Sequence, residues 1–220
     1  MLIDNRTLIS ATLISARRVL PRRLGAAVAL AALTLTPALA ATAADDNKTL
    51  DDYLTQGLAA AMQTKSALGG ELMKAMEAGG PEGAVAFCNT RATPIAAEVS
   101  ERLGMEVTRV SDQPRNPANA ANEEELEVIA RLKEALASGA PPKPELRDHG
   151  EQVVGYYPIV TNEMCLKCHG TKGVDISPAT QAVIDSQYPA DQATGYGEQE
   201  LRGLFVVTMD RSANSDGPAQ

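Results

Sequence analysis

The chain has 220 residues, with 28 acidic against 20 basic side chains and a net charge of −8. That balance excludes nucleic acid and anionic membrane surfaces as natural partners and is compatible with a cationic protein face. With no Trp, two Phe and five Tyr, a core of this size lacks its customary bulky fillers.

Residues 1–43 have the pattern of a secretory leader. Arg17, Arg18, Arg22 and Arg23 make a basic n-region, residues 24–35 an apolar run, and Pro37-Ala38-Leu39-Ala40 a small-residue cleavage site. Cleavage is expected after Ala40 or, at the second such site, after Ala43. The apolar run is about a dozen residues, short of the ~20 that span a bilayer, so no stable membrane insertion is expected after cleavage. The arginine pairs lack the rest of a twin-arginine motif, which favours general secretion and a periplasmic destination. Five arginines and one acid leave with the leader, so the remainder holds 15 basic and 27 acidic residues, a net charge of −12.

Residues 48–80 predict one or two amphipathic helices, with Leu50, Leu54, Leu58, Ala61 and Met62 at helical spacing and Gly69-Gly70 as a break. Methionines at that spacing read as core rather than as ligands. Gly79-Gly80 closes the segment, and Pro81 suits the first turn of a helix over 81–103. That helix aligns Val85, Cys88, Ala92, Ile95, Val99 and Leu103, so Cys88 faces the interior. Pro94 removes one backbone hydrogen bond and predicts a kink just after Cys88.

Residues 105–110 alternate and are rich in β-branched side chains, which predicts a strand, ended by a loop over 113–119. Asn122 caps a helix with three glutamates in its first turn and Leu126, Ile129, Leu132 and Leu136 inward, ending near Gly139. Pro141-Pro142-Lys143-Pro144 is a stiff connector within one domain over 44–210. A second strand over 151–160 runs into Met164-Cys165-Leu166-Lys167-Cys168-His169-Gly170. A short helix over 178–186 follows, then a turn at 195–197 and a third strand over 201–210 with Leu201, Phe205, Val207 and Met209 on one face. Residues 211–220 read as a flexible tail.

Two cysteines three positions apart can each add across a vinyl group of one porphyrin, and the adjacent histidine can bind the iron. Cys165, Cys168 and His169 therefore predict one covalent haem c, and a buried macrocycle would fill the core that few aromatics serve. Cys88 is then left without a disulfide partner in an oxidising compartment and is expected to be buried or bound. A Cys₃His zinc site from Cys88, Cys165, Cys168 and His169 is chemically sound, but the adjacency of Cys168 and His169 is awkward for one tetrahedral ion. His149 competes for the sixth iron position, although its polar, loop-like surroundings read as solvated. Met164 is too near the attachment cysteine to reach across the ring easily. Arg109, Arg115 and Arg202 are candidates to pair with propionates.

Several segments together resemble a family of exported single-haem c-type domains with a PAS-like core, long catalogued as a domain of unknown function. They are Ala86-Phe87-Cys88-Asn89 with Pro94-Ile95-Ala96, Arg109-Val110-Ser111 with residues 115–119, Tyr157-Pro158-Ile159-Val160 into Cys165 to Gly170, and Glu200-Leu201-Arg202-Gly203. The resemblance implies an α+β fold, a PAS-like antiparallel sheet flanked by helices, with iron held between His169 and Cys88. Unlike the family's sensor kinases, this sequence shows no transmitter domain after the haem region.

The expected function is a periplasmic monohaem c-type cytochrome, an electron carrier or a redox or diatomic-gas sensor. Its partners would be a redox protein or a small diatomic ligand. Two protein ligands leave no open position, which argues against catalysis. The alternative is a haem enzyme of peroxidase or nitrogen-oxide reductase type, with an open sixth position and His149 as its acid–base group.

Overall fold

The computed structural model describes residues 48–211, so the expected leader and the tail beyond Arg211 lie outside the described residues. Helix α1 (Leu50–Leu103) leads into strand β1 (Glu106–Val110), a 3-10 turn (Pro117–Asn119) and helix α2 (Glu123–Ala137). Strands β2 (Glu145–Asp148) and β3 (Gln152–Val160), helices α3 (Glu163–His169) and α4 (Pro178–Gln187) and strand β4 (Leu201–Asp210) follow. The strands form one antiparallel sheet in the order β1-β4-β3-β2. The fold is α+β, as expected. No described helix is long and apolar enough to cross a membrane.

Helix α1 opens on a capping box between Thr49 and Asp52 and closes on Gly104 in the left-handed conformation. Inside it, Gly79 and Gly80 leave helical geometry, Gly80 at φ 62°, so α1 is two helical segments meeting at a sharp turn. The second segment starts hard against the first, because a Cβ on Gly83 would lie 3.0 Å from the Ala75 carbonyl oxygen. One expectation changes here. The helix runs unbroken through Gly69-Gly70, and Pro94 lies inside it with helical φ/ψ around it.

The buried face of the first segment is also rotated from the expected one. Tyr53, Gly57, Ala60, Ala61 and Thr64 are buried, while Leu50, Leu58 and Met62 remain 50%, 44% and 52% exposed. The cause is Tyr157 of β3, whose hydroxyl donates to the Leu54 carbonyl at 3.1 Å directly beneath Gly57. A Cβ at Gly57 would stand 2.0 Å from that hydroxyl oxygen, so only small residues let the helix settle onto the sheet. Helix α2 likewise buries Val128, Ile129 and Leu132 together with the capping Glu125, and Leu126 turns outward.

Both faces of the sheet are covered. Val107, Val153, Tyr157, Phe205, Val207 and Met209 pack under α1, whereas Tyr156, Leu201, Leu204 and Val206 pack against α2. Leu201 thus lies on the opposite face from Phe205, contrary to the simple alternation. Pairing runs from Ile159↔Gly203 to Val160↔Leu201, so Arg202 is the extra residue of a β-bulge that shifts the phase. Gly203 (φ 158°) permits it, since a Cβ there would fall 2.3 Å from the Val110 carbonyl oxygen of β1. Strand β2 was also missed: residues 145–148 pair with β3 and carry His149 out to the hairpin turn.

Candidate functional site

One cavity of about 270 Å³ opens where α1, β1, α3 and the bulge of β4 meet. Its wall includes Cys88, Cys165, Cys168, His169, Arg109 and Arg115, so all six site residues expected from the sequence border one space. Arg202 borders it as well, and Leu72, Met76, Val85, Val110, Ile159 and Val160 supply apolar surface. His149 does not border it. It stands exposed on the β2–β3 hairpin with Nε2 3.5 Å from the Glu124 carboxylate.

Residues 163–169 form helix α3, capped by Asn162, whose side chain accepts from the Cys165 amide. One helical turn sets Cys165 and Cys168 on the same side, with His169 at the helix end. Residues 193–196 strap that end in place. The Gly195 amide donates to the Gly170 carbonyl at 2.8 Å and the Tyr196 amide to the His169 carbonyl at 3.0 Å.

The His169 ring is fixed through Nδ1, which lies 2.8 Å from the Ala193 carbonyl oxygen. Arg202 Nε lies 3.3 Å from the same nitrogen. One tautomer cannot make both bonds, and we assign the proton to Nδ1. The carbonyl contact is shorter, and the Arg202 guanidinium already has acceptors in Ser111 Oγ at 2.8 Å and the Gln113 carbonyl at 3.2 Å. Nε2 then keeps its lone pair, the arrangement a ligating histidine needs. Burial, followed by the charges of Arg202, Arg115 and Arg109, holds His169 well below the usual imidazole range, so the ring is neutral.

The three arginines have different employment. Arg115 forks onto Asp191, Nε to Oδ1 at 3.0 Å and Nη2 to Oδ2 at 3.3 Å, and also donates to the carbonyls of Cys168 at 2.6 Å and Ala193 at 3.2 Å. It is therefore committed to holding the motif helix rather than free for a carboxylate from a ligand. Among the described residues neither Arg109 nor Arg202 forms an ion pair, although burial lowers the pKa of both. Half-buried guanidinium groups facing a cavity in this way are suited to anionic groups within it.

Burial holds the Cys88 and Cys168 thiols neutral. Burial pushes Cys88 up while Arg109 and Arg115 pull it back, and burial raises Cys168 to about 11. Among the described residues no three His, Cys, Asp or Glu side chains are grouped closely enough to hold a metal ion unaided, which leaves the zinc arrangement without a geometric basis. An apolar slot with two half-buried guanidinium groups that have no carboxylate partner among the described residues, a neutral imidazole and a thiol fits a flat, dianionic, iron-bearing macrocycle. The volume lies just below the roughly 300–1,000 Å³ of enclosed small-molecule pockets, which suits a group that leaves one edge in solvent. No local pattern marks Asp191 or the Ala193 carbonyl, whose roles rest on main-chain geometry and long-range pairing.

A helix-covered antiparallel sheet whose bulged inner strand frames a Cys-x-x-Cys-His cavity defines a small α+β domain with the site at the end of that strand. The family model described as Tll0287-like (Tll0287) matches residues 3–210, and the chain belongs to the Tll0287-like family. Among solved structures it is similar to the crystal structure of the cyanobacterial heme-protein Tll0287, at a TM-score of 0.54 and 24% identity over 72% of this chain and 95% of that one. At that identity the likeness speaks for the fold. A search of curated proteins found no match.

Proposed function

We propose that this chain is an exported, periplasmic monohaem c-type cytochrome with a PAS-like core. In this reading haem is attached through Cys165 and Cys168 and held axially by His169 and Cys88. The observation that carries it is convergence: Cys88, 77 positions before Cys165 in the sequence, reaches the same cavity as the Cys-x-x-Cys-His helix. The heme-protein named in the structural match supports the same reading.

Bound haem would supply a one-electron couple, with His169 and Cys88 the residues that would hold its iron. The protein's own contribution is then specific. Ala193 orients His169 through Nδ1, Arg115 anchors the motif helix, and Arg109 and Arg202 offer charge to the propionates. Two protein ligands favour electron transfer with a partner protein, or sensing of redox state or a diatomic gas by ligand exchange, over turnover of a substrate. The open-site enzyme loses its candidate acid–base residue, because His149 sits on the hairpin beside Glu124.

The test is a spectrum of full-length protein taken from the periplasmic fraction. We expect haem that survives acid–acetone extraction and a ferric low-spin thiolate signature that Cys88→Ala abolishes while His149→Ala leaves it intact. Haem fully removed by acid–acetone, or a thiolate signature that persists in Cys88→Ala, would refute the assignment.

A further inference from the structure

We propose that Met76 is a second, redox-selected iron ligand, which takes the place of Cys88 when the haem is reduced. The inference rests on the His169/Cys88 reading and adds a ligand that the sequence pattern files as core.

The geometry comes from the turn in α1. Were α1 straight, the twelve positions from Met76 to Cys88 would separate them by about 18 Å along the axis, too far to share one small cavity. Instead the chain turns at Gly79-Gly80, the second segment folds against Ala75, and Met76 and Cys88 come to line the same 270 Å³ space. Met76 is partly buried there, on α1, whereas the other cavity methionine, Met164, is 44% exposed and directly precedes Cys165 on α3. The cavity therefore offers iron two sulfur donors from α1, one a thiolate and one a thioether, with a glycine pair between them.

Their chemistry divides by oxidation state. An anionic thiolate favours ferric iron, and a neutral thioether favours ferrous iron and raises the potential. When a one-electron donor protein, or dithionite in the laboratory, supplies an electron, Met76 would hold the iron in place of Cys88. The Cys88 sulfur would leave with both bonding electrons and take up one proton from solvent, returning to the neutral thiol. The Met76 sulfur would donate a lone pair to form the new bond, so one electron and one proton enter and no other atom is gained or lost. A diatomic gas would then meet a thioether to displace rather than an open iron.

The experiment compares oxidised and dithionite-reduced spectra of the full chain, with and without carbon monoxide, for wild type, Met76→Leu, Met164→Leu and Cys88→Ala. We expect Met76→Leu to keep the ferric thiolate signature, to lose the low-spin ferrous spectrum in favour of a high-spin one, and to bind carbon monoxide faster. Met164→Leu should match wild type in both states. A ferrous low-spin spectrum that survives Met76→Leu, or that is lost in Met164→Leu instead, overturns the proposal. Cys88→Ala separates the two layers: unchanged ferric ligation in that variant would sink the His169/Cys88 reading itself, whereas its loss alongside an unaffected Met76→Leu would sink only the ligand exchange.

Discussion

Arg115→Met should destabilise the protein far more than the loss of an ordinary surface charge. The Arg115 and Asp191 side chains are 10% and 6% exposed, so the pair has almost no solvent to fall back on. Removing one partner of such a pair leaves the other charge buried and uncompensated, which costs about 3–5 kcal/mol, against at most ~1 kcal/mol for an exposed pair. For a chain of this size that corresponds to a fall in Tm of roughly 6–20 °C. Arg115→Lys keeps the charge but not the planar fork that serves Asp191, Cys168 and Ala193 together, so it should show a substantial fraction of the loss. Arg115→Met with Asp191→Leu removes both charges and should recover most of it, leaving about 1 kcal/mol for the carbonyls of Cys168 and Ala193. Urea titration followed by circular dichroism, with the midpoint compared at constant slope, measures each step. The reasoning fails if Arg115→Met alone costs under about 1 kcal/mol, or if the double variant is no more stable than the single ones. A site-specific readout follows from the same geometry: Ala193 accepts from both Arg115 and His169, so under the proposed haem ligation the single variant should broaden the low-spin ferric resonance even where the protein stays folded.

Two glycines of α1 should respond in opposite directions. Gly57→Ala drives a methyl into Tyr157 and should cost about 1–3 kcal/mol, whereas Gly70→Ala meets nothing within 4 Å and should stabilise by up to about 1 kcal/mol in the same urea assay. Tyr157→Phe leaves the Leu54 carbonyl without its hydroxyl partner and should cost about 1 kcal/mol by the same measure. The hydroxyls of Thr180 and Ser177 hold the Glu82 carboxyl below its ordinary value of 4.5, Thr180 contributing most. Because that folded pKa is depressed, its contribution is complete above about pH 4.5 and fades as pH falls through the folded value. Glu82→Gln should therefore flatten the acid side of the stability profile, and an unchanged slope between pH 5 and 3 would remove Glu82 from the account.

The parts of the site that chemistry writes locally were legible in the sequence. Cys165, Cys168 and His169 announce themselves by spacing, and the α1 stripe through Val85, Cys88, Ala92, Ile95 and Val99 is read correctly because each inward residue is apolar. The first segment of α1 misleads for the converse reason. Its inward face is Gly57, Ala60, Ala61 and Thr64, and its leucines look outward, because the partner surface brings its own bulk in Tyr157. Hydrophobic periodicity finds the face with the largest side chains, not the face that allows the closest approach. The short strand β2 escaped for a related reason, since Glu145, Arg147 and Asp148 are polar and become a strand only by pairing with β3 at the sheet edge.

The bulge at Arg202 shows why the supporting residues of the site could not be read from any local pattern. In an unbroken strand Leu201, Gly203 and Phe205 would share a face, and Arg202 would point away with Leu204. The single extra residue moves Leu201 to the α2 side and lets Arg202 donate to Ser111 Oγ and the Gln113 carbonyl from a strand end. Ser111 lies 91 positions from Arg202, and it answers by donating Oγ–H to the Arg202 carbonyl at 2.9 Å. Bulge and serine therefore depend on one another, since Arg202 and Ser111 each donate to the other. Such mutual dependence carries no periodicity and no spacing rule, so a motif can name the cavity-facing residues while the shell that aims them becomes visible only in three dimensions.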